Sequence, residues 1–437
     1  MRSNALLIQG RNFLLAATCA VGCASSAADT DVDEGAFSSN EAVLLEFEFD
    51  GEVVSDSPWK PIDDQLLYTV GQLNGERSVG RLDTVKLTNV EQSATQNGET
   101  RIRYHAVLQV AWGNPRTIPA SYTFVLPRSV GYAAQRSFTE QHKHECVDWG
   151  AHDVDEGSMW YYYRPLNDGC ALADAEVVKS VATVRRSSEQ TKDKYPEYQK
   201  IWEDGRLEVI AIFGKYKDGA TSNDAGISAY NEFADMLRTE FARAKGTVTT
   251  TPASIPRAPG IGAPDITYEA ALGDGKVIKV TALLVDNIGA APESFDRRYE
   301  VLSPTADLIA YNGHAGLGQN VRALAQKGRW KTGQYQVFFM NGCDTFAYVD
   351  GTLAGTRAAL NPDDPTGTKY MEFVTNAMPS FFTSMPEASR AIVKGFLSYE
   401  QPMTYEQIFK GIDRAEVVLV TGEEDNVYRP GMPLGNR

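Results

Sequence analysis

Two short apolar runs in the last third of the chain each end beside a residue able to do chemistry, and the stretch between them has helical spacing. Leu308-Ile309-Ala310-Tyr311 leads into Asn312-Gly313-His314-Ala315-Gly316, and Tyr335-Gln336-Val337-Phe338-Phe339-Met340 leads into Asn341-Gly342-Cys343-Asp344. An apolar run of roughly 4–8 residues, β-branched or aromatic and closed by Gly, reads as a buried strand of a parallel sheet. Between the two, Val321, Leu324 and Ala325 fall at helical spacing within Gln319 to Lys327. Strand, helix, strand makes a right-handed crossover, so the two strands are expected to be parallel neighbours. Both loops then open at the carboxyl edge of the sheet, where α/β proteins place their sites. His314 and Cys343 are thereby expected to face each other as a thiolate–imidazole pair.

The surrounding pattern fits that frame. Leu207 to Tyr216 reads as a strand, and Asn223 or Asp224 can cap the helix that follows, with Ile227, Tyr230, Ala234, Leu237 and Phe241 on one face. Ile266 to Ala271 and Lys276 to Val285 form an expected hairpin around Gly273-Asp274-Gly275, and Thr247 to Pro264 reads as an exposed loop. Phe295 to Leu302, Met371 to Phe382, Ala388 to Leu397 and Tyr405 to Ile412 read as helices, and Glu416 to Val420 as a last strand. Strands interleaved with helices predict a three-layer α/β domain over 205–437.

The first half differs. Leu45, Phe47 and Phe49 alternate with Glu46, Glu48 and Asp50, the period of a half-buried strand. Val85 to Val90 and Ile102 to Trp112 flank Asn97-Gly98, a hairpin turn signal, and Tyr122 to Leu126 adds a strand. This predicts an antiparallel, sandwich-like β domain within 41–200. Its later part, from 131 to 200, reads as irregular and carries Cys146, Cys170, three histidines (His142, His144, His152) and the cluster Trp160-Tyr161-Tyr162-Tyr163. The spacing of these His and Cys residues matches no compact zinc finger, so a disulfide with surface histidines is the reading taken, and a metal-dependent enzyme would show itself by chelator sensitivity. The aromatic cluster reads as a satellite of the core.

Residues 1–22 read as a signal segment: Arg2 and Arg11 flank a polar start, and Phe13 to Val21 is an apolar core too short to span a bilayer. Ala20-Val21-Gly22-Cys23 resembles a bacterial lipoprotein lipobox, which implies lipidation of Cys23; ordinary cleavage near Ala27 or Ala28 is the alternative. Residues 23–40, small, polar and acidic, read as a flexible tether. Of the cysteines, Cys19 lies in the signal core, Cys146 and Cys170 pair by default in an oxidising compartment, and Cys343 is left over. A net charge of −15 argues against nucleic-acid or anionic-membrane partners, leaving a membrane contact only through the lipid.

A thiol attacks a carbonyl only as thiolate, and a neighbouring imidazole can take its proton and later protonate the leaving amine. Backbone N–H groups of Cys343 and of the Gly313–Gly316 stretch are candidates for binding the oxyanion. Glycines serve both loops, where the chain reverses and a substrate backbone needs close approach. A serine-hydrolase elbow is excluded, because Gly313-His314-Ala315-Gly316-Leu317 holds no Ser.

Tyr311-Asn312-Gly313-His314-Ala315-Gly316 is similar to the His loop, and Phe339-Met340-Asn341-Gly342-Cys343 to the Cys loop, of the caspase-fold cysteine peptidases, a group that includes caspases, metacaspases, legumains, gingipains and separases. The resemblance covers roughly 205–425. It implies a caspase-like fold, His314 as general base, Cys343 as nucleophile, peptide or protein substrates and no cofactor or metal. Ala315 stands where most of the family carries Gly. Asp344 would either raise the thiol pKa or select a basic side chain at the scissile bond. The alternative function is a catalytically inactive surface lipoprotein that binds a protein partner.

Overall fold

The computed structural model describes residues 37–435 apart from 57, 58, 96 and 245, so the signal segment, Cys23 and the first part of the tether lie outside the described residues. In chain order the strands are β1 Phe37–Ser39, β2 Val43–Ser55, β3 Ser78–Ala94, β4 Thr100–Trp112, β5 Ser121–Pro127, β6 Val177–Arg186, β7 Arg206–Gly214, β8 Val248–Thr251, β9 Asp265–Ala271, β10 Val277–Val285, β11 Leu308–Asn312, β12 Gln336–Asn341, β13 Met371–Asn376 and β14 Val418–Thr421. The helices are α1 Pro61–Asn74, α2 Tyr132–His142, α3 Met159–Tyr162, α4 Tyr198–Ile201, α5 Ala225–Phe241, α6 Glu293–Leu302, α7 Gln319–Lys327, α8 Thr352–Leu360, α9 Met385–Leu397 and α10 Tyr405–Phe409.

A nine-stranded sheet has the order β1-β14-β13-β12-β11-β7-β10-β9-β8. Its centre, β13 through β10, is parallel, and β11 pairs with β12 in register from Leu308↔Val337 to Asn312↔Asn341, as the apolar runs predict. Alternate strand residues feed two apolar layers. Ile309, Tyr311, Phe338 and Met340 face the layer that holds Phe295 of α6, Leu324 of α7 and Leu353 of α8. Leu308, Ala310, Val337 and Phe339 face the layer that holds Tyr230 of α5, Ile392 of α9 and Tyr405 of α10. Helices on both faces give the expected three layers. The connection leaving β7 runs through α5 toward β10, and that leaving β11 runs through α7 to β12 on the other face. Neighbouring strands whose outgoing connections diverge leave a crevice at their carboxyl ends.

A second, five-stranded antiparallel sheet has the order β3-β4-β2-β6-β5. The sandwich expectation is corrected here: its inner face is covered by a helix, not by another sheet. Leu66, Val70 and Leu73 of α1 are buried against it, and each such side chain contributes about 1.5–3 kcal/mol on burial. Two glutamines fix α1 to the sheet backbone: Gln65 Nε2 donates to the carbonyls of Glu52 and Pro127, and Gln72 bonds Thr123 and Val125. Phe47 and Leu108 of this sheet belong to the same apolar cluster as Met340 and Phe346, so the two sheets share a core within one compact unit.

Three further expectations are corrected. The end of the tether is ordered, since Phe37–Ser39 pairs antiparallel with β14 and Phe37 is buried against Phe346. Met371–Asn376 is an inner strand and not the start of a helix. The misleading residue is Glu372, which is fully buried yet accepts hydrogen bonds from Tyr335, Tyr405 and Asn426. The segment 131–200 is also less irregular than its sequence reads, because it forms α2, α3 and β6.

Candidate active site

Three asparagines end three adjacent strands: Asn312 on β11, Asn341 on β12 and Asn376 on β13, all fully buried. Asn341 Nδ2 donates to Asn312 Oδ1 at 2.9 Å, and Asn376 Nδ2 approaches Asn341 Oδ1 at 3.4 Å. Ser389 and Ser380 hydroxyls donate to Asn312 and Asn341 at 2.9 and 2.6 Å. These amides continue the ladder for one step beyond its backbone bonds, and a buried amide left unpaired would cost about 1–3 kcal/mol.

The next residues bring the two loops into contact. Gly313 N–H donates to the Asn341 carbonyl at 3.1 Å. The Gly342 Cα lies so close to the other loop that a Cβ would stand 2.7 Å from the Gly313 carbonyl and 3.4 Å from the Ala315 nitrogen. The chain then turns into α7 through left-handed backbone at Gly316, Leu317 and Gly318. His314 is fixed through its carbonyl, which accepts from Tyr311 Oη at 2.8 Å and Asn320 Nδ2 at 2.7 Å. Its exposed imidazole lies between the rings of Tyr216 and Phe382, each centroid 5.2 Å away. Nε2 is 3.0 Å from the Tyr216 carbonyl. A carbonyl only accepts, so Nε2 carries the proton and Nδ1 of the neutral ring keeps its lone pair.

Cys343 follows on the facing loop and keeps partial exposure as a residue. Burial pushes its thiol up to about 12, with the Asp344 charge adding to the rise, and the Tyr161 hydroxyl and the Ser380 backbone N–H pulling the other way. No hydrogen bond joins His314 to Cys343 among the described residues. Catalytic hydrogen bonds are often made only once substrate is bound. The backbone N–H groups of Cys343 and Ala315 have no acceptor among the described residues, as candidate oxyanion donors require.

Asp344 does not reach the open edge. It is fully buried, in left-handed backbone, and accepts from Asn74 Nδ2 at 2.6 Å. Selection of a basic substrate side chain is therefore not its part in this geometry. Burial pushes its carboxyl up to about 7, against the Tyr161 hydroxyl, the Arg164 charge and Asn74, so it adds to the thiol shift whenever it is ionised.

Sequence reasoning missed the residues that the first half of the chain sends to this turn. Trp160 packs edge-on to Tyr348, five residues past Cys343, at 6.4 Å, and Arg164 Nη2 donates to Asn74 Oδ1 at 2.7 Å. Their only sequence signal is an aromatic cluster set between two cysteines. Those cysteines are joined, Cys146 to Cys170. His142 packs on Phe138 with Nε2 3.3 Å from Glu176, and among the described residues no group of three His, Cys, Asp or Glu is placed to hold a metal. A cavity of about 360 Å³ opens at the ends of β7 and β10, lined by Lys215, Val285, Asp286 and Arg298; neither His314 nor Cys343 lines it. Among the described residues no helix is long and apolar enough to cross a membrane.

No family model, curated protein or solved structure matches this chain.

Proposed function

We propose that the chain is an exported cysteine endopeptidase of caspase-like fold, anchored through a lipid on Cys23, in which Cys343 is the nucleophile and His314 the base. The observation that carries this reading is the close fit of Gly342 against Gly313 and Ala315, since it sets the His and Cys loops at one rim. In the reaction His314 Nδ1 takes the thiol proton and the sulfur attacks the peptide carbonyl. The oxyanion forms against the N–H groups of Cys343 and Ala315. The imidazolium then gives its proton to the leaving amine, and a water molecule, deprotonated by the same ring, releases the acid from the thioester. The Tyr216 carbonyl keeps the ring in the tautomer that this sequence needs.

A second reading, a surface lipoprotein that binds a protein partner and has no activity, draws support from the raised thiol. A thiol held this far above its ordinary value is protonated at neutral pH, and only the thiolate attacks a carbonyl. Cleavage of a peptide library separates the two. Activity abolished by both Cys343→Ala and His314→Ala is the expected result, and no cleavage under any condition favours the binding module.

A further inference from the structure

The segment between Cys146 and Cys170 is a closed loop in two senses. The disulfide joins its ends, and the backbone zips them, with Asp148 N–H donating to the Tyr162 carbonyl and Arg164 N–H to the Cys146 carbonyl, both at 2.8 Å. Asn167 Nδ2 adds a bond to the Val147 carbonyl at 2.8 Å. Inside the loop, α3 presents Trp160, Tyr161 and Tyr162. Just past the zipped ends, Trp149 is 98% exposed.

The loop is seated on α1 and on the turn that holds Cys343. Gly71 of α1 admits it, since a Cβ there would stand 2.2 Å from the Trp160 carbonyl. Arg164 Nη1 donates to the carbonyls of Gly71, Tyr161 and Tyr163, while Nη2 reaches Asn74 Oδ1. Asn74 passes the link on to Asp344, next to Cys343, at 2.6 Å. The Trp160–Tyr348 ring contact is a second attachment to the same turn. Burial raises the hydroxyls of Tyr161 and Tyr162, and the Cys343 sulfur adds to the rise of each.

We propose that the disulfide-closed loop 146–170 is a lid over Cys343, latched to the nucleophile turn through Arg164, Asn74 and Asp344, and that the protein as folded is a latent form whose thiol is unmasked when this lid lifts. The proposal rests on the peptidase reading for what the freed thiol does, and on the contacts above for how it is held. It accounts for a nucleophile candidate with a base across the rim and a thiol dominated by burial. Lifting the lid removes the covering rings and opens the sulfur to water, which stabilises the thiolate.

The test is the rate at which iodoacetamide alkylates Cys343 at pH 7.5 in the full chain, read by mass spectrometry on the peptide that contains it. Arg164→Ala cuts the latch, and Tyr162→Ala removes a half-buried ring without touching the latch. Amide exchange in β11 and β12 reports whether each variant remains folded. About tenfold faster labelling in either variant, with β11 and β12 still protected, is expected, since one unit of thiol pKa is a factor of ten in thiolate. Wild-type rates in every variant that keeps this protection overturn the lid. Should Arg164→Ala lose the protection, Tyr162→Ala decides. The peptidase reading fails separately: fast labelling without peptide cleavage keeps the lid and removes the enzyme.

Discussion

The Tyr216 carbonyl lies 3.0 Å from Nε2 of His314 and accepts a hydrogen bond from it, so a backbone group on the loop after β7 sets the tautomer of a ring on the loop after β11. The carbonyl is itself held in place. The Asp224 carboxylate accepts from the backbone N–H groups of Tyr216 at 3.0 Å and Lys217 at 2.9 Å, as well as from Gly226 and Ile227 at the start of α5.

Asp224 therefore does two jobs that substitution can separate. Asp224→Ala loses both and should cost about 1–3 kcal/mol in denaturant unfolding. Asp224→Ser retains a cap for α5 but cannot span to Tyr216 and Lys217. It should keep most of the stability while weakening the dependence of Cys343 alkylation on His314. The four backbone donors hold the carboxyl below its usual range in spite of burial. Its contribution is thus present above the ordinary Asp pKa and is lost as the pH falls through the lowered value. Equal behaviour of the Ser and Ala variants in both measurements would remove the positioning role.

Gly342 and Gly355 make an internal comparison. A Cβ at Gly342 would press on the Gly313 carbonyl, whereas at Gly355, inside α8, it would meet nothing within 4 Å. Gly342→Ala should destabilise by about 1–3 kcal/mol and move the two loops apart. Gly355→Ala should stabilise by about 0.5–1 kcal/mol. Thermal unfolding of the two variants checks the sign of each.

Stability should decline as the pH rises from acid to weakly alkaline values. Glu372 is pushed from 4.5 up to about 8, burial outweighing the hydroxyls of Tyr335 and Tyr405 and the amide of Asn426. Between those values the folded chain binds a proton that the unfolded chain lacks. Its contribution is complete below the unfolded value and is lost as the pH climbs through the folded one. At about 1.4 kcal/mol per unit this amounts to roughly 5 kcal/mol across the window. Asp344, Asp307 and Glu423, all raised by burial, act in the same direction. Urea midpoints from pH 5 to 8.5 should fall in the wild type and flatten in Glu372→Gln; a parallel slope in both proteins contradicts the assignment.

Where the sequence was legible, short-range pattern was enough. The α7 bounds Gln319–Lys327 and the parallel pairing of β11 with β12 follow from apolar runs and spacing alone. β13 was misread because a buried Glu372 mimics the polar face of a helix, and its three hydrogen-bond donors come from distant positions. The surroundings of Cys343 were illegible for a related reason. Asn74 and Asp344 meet across 270 residues of chain, and neither neighbourhood carries a pattern that announces the other. Helix α1 went unread although Leu66, Val70 and Leu73 have helical spacing, because Gln65, Thr69 and Gln72 among them look solvent-facing and are in fact buried on the sheet.

The central claim, that His314 activates Cys343, is tested most directly by the pH profile of Cys343 alkylation in Tyr162→Ala, with and without His314→Ala. With the lid loosened, the account predicts a labelling rate that rises through the neutral range when His314 is present and falls about tenfold or more at pH 7 when it is replaced. Superimposable profiles in the two proteins would contradict it.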